Sequence, residues 1–297
     1  MATYCLWYFK VQNGRYEPFN NMGAASELKE RRFTYAVALN SPRYERIPQS
    51  GSSYQDGYHD GEYFGKWLDP YLAGMDYLVT IPVFSRSSDT EIRGINYWKG
   101  WIDGIFENTT GYQVGFYWDY ESPWQIIDGI HDDRVIPETE LKEISEYIRT
   151  EKNQVFIWSP YTNGTINLDG TDIKRIWRYF NYVFVQPNYY QTCTRKGTTG
   201  NTYSFSELVD VLNWIWNATP NTYITLEADR SVLGQQEHCR CLSSTCGCSM
   251  DKCIDYARDY VSAQMNSVVQ NIWPQRMYYF SVDLAVVDRI REKYSLW

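Results

Sequence analysis

The sequence predicts one α/β domain, a single eight-stranded (β/α)₈ TIM barrel spanning residues 1–297, with a Cys-rich insertion at 234–253 in the loop after its seventh strand. Three observations predict it. Short β-rich runs recur eight times, each followed by a longer helical pattern. Strands alternating with helices imply a parallel sheet with right-handed crossovers, and eight such units suit a closed barrel better than an open sheet. The chain has 297 residues, and such barrels take roughly 250 before insertions. The first strand also lacks the glycine fingerprint of a nucleotide-binding fold.

The elements follow in order. Thr3–Phe9 is the first strand and Ala24–Arg32 its helix. Thr34–Asn40 is the second strand, and Glu62–Leu72 is a helix after a Gly/Ser/Tyr-rich loop. Asp76–Phe84 is the third, with a helix around Asn96–Glu107. Tyr112–Glu121 is the fourth, and Pro137–Glu151 is a helix with proline in its first turn. Gln154–Tyr161 is the fifth, with a helix at Thr171–Tyr179. Tyr182–Tyr189 is the sixth, with a helix at Ser204–Asn217. Thr222–Asp229 is the seventh, with a helix around Met250–Ile272. Arg276–Asp283 is the eighth, and Leu284–Tyr294 closes the chain as a helix.

Alternation within the strands separates two faces. In the seventh, Ile224, Leu226 and Ala228 share one face, and Thr225, Glu227 and Asp229 the other. In the fourth, Val114, Phe116 and Trp118 alternate with Gly115, Tyr117, Asp119 and Glu121. In the sixth, Val183 and Val185 alternate with Phe184, Gln186 and Asn188. The apolar sets should pack on helices. The other sets should face the barrel axis, turning polar toward the C-terminal strand ends, where active sites of this fold sit.

Composition narrows the function. Net charge is −8 with no basic stripe, which disfavours nucleic-acid binding. No apolar run approaches the roughly 20 residues of a membrane span, and no leader pattern precedes the first strand. Only His59, His131 and His238 are available, so His-based triads and metal sites are nearly excluded by supply. No nucleophile-elbow, P-loop or dinucleotide motif occurs in a strand-to-helix context. An enzyme built from this chain would rely on carboxylates, and no cofactor is called for.

The acids at the strand ends are Asp119 and Glu121 after the fourth, Glu227 and Asp229 after the seventh, and Asp283 after the eighth. The fourth and seventh strands face each other across the mouth. Glycosidic cleavage needs two carboxyl groups flanking the bond, one giving a proton and the other attacking or activating water. The catalytic candidates are Glu121 and Glu227, with Asp119 as substitute. Any one of these acids could instead be a helix cap or an arginine partner. Aromatics make up 17% of the chain, with 27 Tyr and 12 Trp, so rings are available to stack on sugars. Tyr117, Trp158, Tyr161 and Tyr189, followed by Tyr190, fall near the mouth, and Gln186 and Asn188 could bond hydroxyls. Asp229 and Asp283 complete the expected carbohydrate-binding set, although Tyr117 could equally fill the barrel's top layer.

The blocks GFYWDYES (Gly115–Ser122), FIWSPYTNG (Phe156–Gly164), FVQPNYY (Phe184–Tyr190) and TLEAD (Thr225–Asp229) resemble, in order and spacing, an uncharacterised microbial family, the domain of unknown function 4855. The resemblance covers roughly residues 60–290 and implies a glycosidase-like barrel. More broadly, acids after strands four and seven resemble the large retaining glycosidase clan. That resemblance implies Glu121 as acid/base and Glu227 as nucleophile. The chain departs from the clan at Tyr120, where an Asn is usual.

Residues 238–253 read HCRCLSSTCGCSMDKC. Cys239, Cys241, Cys246, Cys248 and Cys253 crowd there, while Cys5 and Cys193 stand apart. The spacing favours a disulfide-stapled loop using four of the five. Reduced, Cys239, Cys241, Cys246 and Cys248 could instead hold a metal. Acceptor patterns for glycosylation at Asn108, Asn163 and Asn217 agree with an extracellular or cell-surface address. Three functions compete: a carbohydrate-active hydrolase, a glycan-binding barrel without activity, and an extracellular assembly protein.

Overall fold

A computed structural model describes residues 1–41, 51–82, 94–126, 136–195 and 201–297. The strands are β1 (Ala2–Gln12), β2 (Arg15–Pro18), β3 (Tyr35–Asn40), β4 (Asp76–Ile81), β5 (Gln113–Trp118), β6 (Val155–Trp158), β7 (Tyr182–Val185), β8 (Thr222–Glu227) and β9 (Gln275–Tyr279). The helices are α1 (Ala25–Glu30), α2 (Tyr54–Leu72), α3 (Ile95–Glu107), α4 (Glu138–Glu146), α5 (Ile173–Ile176), α6 (Phe205–Ala218), α7 (Cys253–Asn266) and α8 (Ala285–Lys293). Eight strands run parallel in the order β1-β3-β4-β5-β6-β7-β8-β9, and β9 returns to pair with β1 from Ala2↔Gln275 to Cys5↔Tyr278. The barrel is therefore closed, with β5 and β8 as its fourth and seventh strands. Of the expected third strand, Val83 and Phe84 lie outside the described residues, as does His131.

The ninth strand, β2, was not expected. It pairs antiparallel with the end of β1 through a tight turn at Asn13-Gly14, both at positive φ. That is the residue pair a two-residue hairpin turn selects.

Two apolar layers hold the barrel. Outward side chains such as Trp7, Phe116, Val183 and Leu226 pack against helices, and inward ones such as Leu6, Leu39, Ile157, Phe184 and Met277 fill the axis. The expected parity holds in β7 and β8. It fails at Val114, expected on the helix face, which packs against the axial cluster instead. The register shifts there: Tyr77 pairs with Gln113, but Leu78 pairs with Gly115, leaving Val114 as an extra residue. Such a bulge resets which side chains face inward.

α2 begins at Tyr54, well before the expected Glu62, so much of the Gly-rich stretch is helix. Ser53 caps it, its Oγ accepting from Asp56 N–H at 3.2 Å while the Asp56 carboxylate takes Ser53 N–H at 3.0 Å. The glycines serve a close helix crossing. A Cβ on Gly57 would lie 2.1 Å from Tyr97 O, and one on Gly100 would lie 2.0 Å from Tyr54 O. Gly61 and Gly104 repeat the contact one turn along.

The loop between β8 and α7 carries three disulfides, Cys193–Cys246, Cys239–Cys253 and Cys241–Cys248. This corrects the pairing expected from sequence: all five clustered cysteines are used, because Cys193 arrives from the β7–α6 loop. The expected thiolate set changes as well. The sulfurs that converge, within 4.8 Å of one another, belong to Cys239, Cys241 and Cys253. Cys5 is a buried free thiol.

Candidate active site at the barrel mouth

Glu227 is the last residue of β8, and parity turns it inward above Thr225. Its side chain is fully buried. One carboxylate oxygen accepts from Asn188 N–H at 3.1 Å and from the Asn188 amide nitrogen at 3.4 Å. The other accepts from the Tyr260 hydroxyl of α7. Asn188 adopts positive φ, a conformation asparagine tolerates. Its Oδ1 then takes the N–H groups of Thr162 and Asn163, at 2.9 and 2.6 Å, tying the loops after β6 and β7 together. Burial pushes the Glu227 carboxyl up to about 7, with the charge of Glu121 adding to the rise and the bonds from Tyr260 and Asn188 opposing it.

Glu121 sits half-buried beyond the end of β5. The Tyr117 hydroxyl donates to it at 2.7 Å, and its backbone oxygen accepts from Tyr161 N–H at 3.0 Å. Asp119 is also half-buried. Burial first, then the charges of Glu121 and Asp119, drive the Tyr117 hydroxyl well above the usual tyrosine range. Tyr8, on β1, is pushed up by burial, Tyr279, Glu121 and Asp119. Glu121 and Glu227 therefore share one electrostatic neighbourhood, with Tyr8, Tyr117 and Tyr279 between the strands.

A cavity of about 150 Å³ opens beside it, lined by Tyr8, Phe19, Arg230, Glu237, His238 and Tyr279 among others. Glu237 stays below its ordinary range although burial pushes it up, because Arg230 bonds it through both its side chain, at 2.6 Å, and its N–H, at 2.8 Å. Sequence reasoning missed Tyr8, Tyr260 and Tyr279. Tyr8 and Tyr279 lie on the inward parity of the first and last barrel strands, a signal available in the alternation. Tyr260 gives none, since it reaches Glu227 from a helix.

Several expected mouth residues lie elsewhere. Trp158 belongs to the outward parity of β6; its indole N–H donates to Tyr120 O at 2.8 Å and its ring stacks on Phe180 at 5.3 Å. Tyr189 is buried beneath the disulfide loop and donates to Asp259 at 3.0 Å. Asp229 is fully buried, accepting from Ser231 N–H at 2.9 Å, His238 N–H at 2.6 Å and Tyr190 OH at 2.8 Å. It caps a turn. Asp283 caps the entry to α8, accepting from Ala285 N–H at 2.9 Å and Asn21 at 3.0 Å. Gln186 donates to Ser159 O at 2.8 Å, and Tyr161 bridges to it through the backbone. Asn188 holds Glu227 rather than facing outward.

No family model matches the chain. It is 33% identical over 337 aligned residues to the uncharacterized protein MJ0957 of Methanocaldococcus jannaschii, covering 97% of this chain and 90% of that protein. The chain belongs to that protein's family. Among solved structures, a GH18 chitinase from Pseudoalteromonas aurantia is similar at TM-score 0.49 and 11% identity, over 99% of both chains. A Group IV chitinase from Ostrinia furnacalis, in complex with allosamidin, is similar at TM-score 0.38 and 12% identity, over 74% of this chain and 64% of that one. At such identities a shared barrel architecture carries no function with it. No helix among the described residues is long and apolar enough to cross a membrane.

Proposed function

We propose that this barrel is a carbohydrate-active hydrolase that cleaves glycosidic bonds with Glu121 and Glu227. One observation carries the reading: two carboxyl groups from opposed strands in electrically different settings, Glu227 pushed to about 7 by burial and Glu121 half-exposed beside a tyrosine hydroxyl. Pairs whose surroundings drive their proton affinities apart supply an acid and a base at one pH. Glu227 holds the proton near neutrality, and Glu121 is the ionised partner that attacks the sugar or activates water. This order is the reverse of the one the retaining-clan resemblance implies. Tyr120, the departure from that clan, packs against Trp118 at 5.0 Å and so serves the core. Membership of the domain of unknown function 4855 and an extracellular address, with which the disulfides are compatible, belong to the same proposal.

The test is turnover on a panel of polysaccharides by wild type, Glu121→Gln and Glu227→Gln. The reading expects cleavage by wild type and loss of at least about 10²-fold in each variant, the scale of a general acid–base contribution. Wild-type cleavage that both variants match overturns it. A second reading, a glycan-binding barrel without activity, is favoured by the full burial of Glu227. Binding without turnover would select it.

A further inference from the structure

The cavity of about 150 Å³ beside the acid pair has a wall that the cleavage proposed above does not use. Tyr8, Phe19, Arg230, Glu237, Tyr279 and Ser281 are among the residues that line it. Tyr279 connects it to the acids. This residue ends β9 and is the strand partner of Glu227. Burial first, then the charges of Asp229, Glu237, Glu227 and Glu121, push its hydroxyl up. Tyr279 therefore feels both the carboxylate of the cavity and the two acids of the mouth.

Arg230 and Glu237 are fixed against each other. Arg230 gives its Nε, at 2.6 Å, and its Nη2 to one oxygen of Glu237, and its backbone N–H, at 2.8 Å, to the other. The Ser281 hydroxyl donates to the same carboxylate at 3.4 Å. Ser281 holds a left-handed backbone, with φ 61°. Outside glycine such a backbone is costly and persists only where its surroundings enforce it. Here it carries a hydroxyl to the ion pair in the cavity wall. Two nitrogens of the guanidinium are thus committed. Among the described residues the third, Arg230 Nη1, has no hydrogen-bond partner, and the side chain is 25% exposed. A planar fork locked on one side by a carboxylate presents its free side as an oriented donor.

We propose that this cavity is a subsite for one neutral sugar ring, with neighbouring hydroxyls bound by Arg230 Nη1 and the Glu237 carboxylate and a carbon face laid on the aromatic wall. It rests on the carbohydrate function proposed for the mouth and adds the charge class of the sugar and the residues that hold it. The volume is about half the roughly 300 Å³ at which sites for drug-sized ligands begin, which suits one ring rather than an enclosed chain. An aromatic wall with a few placed polar groups is what such a ring requires. The charge class follows from the neighbours. Glu237 already neutralises Arg230, and Asp229, Glu227 and Glu121 all act on Tyr279, so a uronate would meet like charge.

The test is saturation-transfer NMR and calorimetry of the full chain with the methyl glycosides of glucose, galactose, mannose and N-acetylglucosamine, and with methyl glucuronide as the anionic probe. The expected result is saturable binding of at least one neutral glycoside, with a Kd on the order of 1–10 mM, and binding of the glucuronide at least about tenfold weaker. Arg230→Lys keeps the charge but loses the fork, and should weaken binding about tenfold. Ser281→Gly suits the positive φ and removes the hydroxyl that steadies Glu237, and should weaken it about threefold. If Arg230→Lys does not fold, Ser281→Gly carries the comparison. Binding that the variants weaken, in a protein that cleaves no polysaccharide, supports the subsite and removes the hydrolase. Cleavage that needs Glu121 and Glu227, with no glycoside bound, does the reverse. Failure of all four neutral glycosides to bind, or binding that the variants keep at wild-type strength, overturns the proposal. A glucuronide held as tightly as the neutral sugars overturns its charge assignment.

Discussion

The Tyr260 hydroxyl donates to the Glu227 carboxylate while accepting the Tyr190 N–H at 2.9 Å. One phenol thus joins α7, the β7–α6 loop and the end of β8. It makes the state of a fully buried acid depend on a helix beyond it in sequence.

Tyr260→Phe should raise the proton affinity of Glu227 further above 7, because the lost bond is among those that lower it. It should also remove the bond from the Tyr190 N–H to the phenol, for a stability loss of about 0.5–1.5 kcal/mol. Carboxyl titration by carbon NMR and chemical unfolding read the two effects, and an unshifted titration would show that the phenol does not tune the acid.

Glu227 should make the protein's stability fall with rising pH. Its carboxyl is raised from 4.5 unfolded to about 7 folded, so the folded state binds the extra proton between those values. The contribution is fully present below about pH 4.5 and lost as pH rises through about 7, amounting to about 3 kcal/mol at most. Glu227→Gln should flatten that part of the profile. Identical pH–stability curves for the two proteins would refute the assignment.

Gly57→Ala and Gly100→Ala should each destabilise by about 2–4 kcal/mol, since the added carbon meets backbone of the facing helix, which cannot yield as a side chain would. Gly111→Ala, with nothing within 4 Å, is the control. Equal unfolding midpoints for Gly57→Ala and the control would mean that the α2–α3 crossing tolerates a wider spacing.

Reduction of the unfolded chain should add the hydrogens of three disulfides to the intact mass, and a digest should yield a Cys193–Cys246 cross-linked peptide. Removing that bridge by Cys193→Ser with Cys246→Ser should cost about 2–5 kcal/mol. A digest in which Cys193 is alkylated as a free thiol would overturn the pairing.

Barrel closure and most strand positions were legible because parallel strands separated by helices leave a strong periodic signature. The parity of β8 also placed Glu227 inward, and that of β5 placed Tyr117 on the axis. Parity read one residue wrongly in β5, where a bulge that no local pattern announces turned Val114 inward. Three residues of the expected sugar-binding set turn to buried partners for a different reason. Nearness of Trp158, Tyr189 and Asp229 to strand ends said nothing about competition from buried partners: Phe180, Asp259 and three donors claimed them. Two missed features were written in the sequence, the Asn13-Gly14 turn and the four-residue glycine spacing in α2 and α3. The partner of Cys246 was not, since it depends on two loops meeting in space.

The closing pairs between Ala2–Cys5 and Gln275–Tyr278 join opposite ends of the chain. During synthesis β1 emerges first and waits, with one edge incomplete, until almost the whole sequence has left the ribosome. β2 folds back onto that edge at Phe9–Gln12, a local pairing that forms at once, so only the lower part of β1 stays bare. A bare strand edge is an invitation to other chains. The small hairpin therefore shortens the stretch through which nascent chains can stick together before β9 arrives.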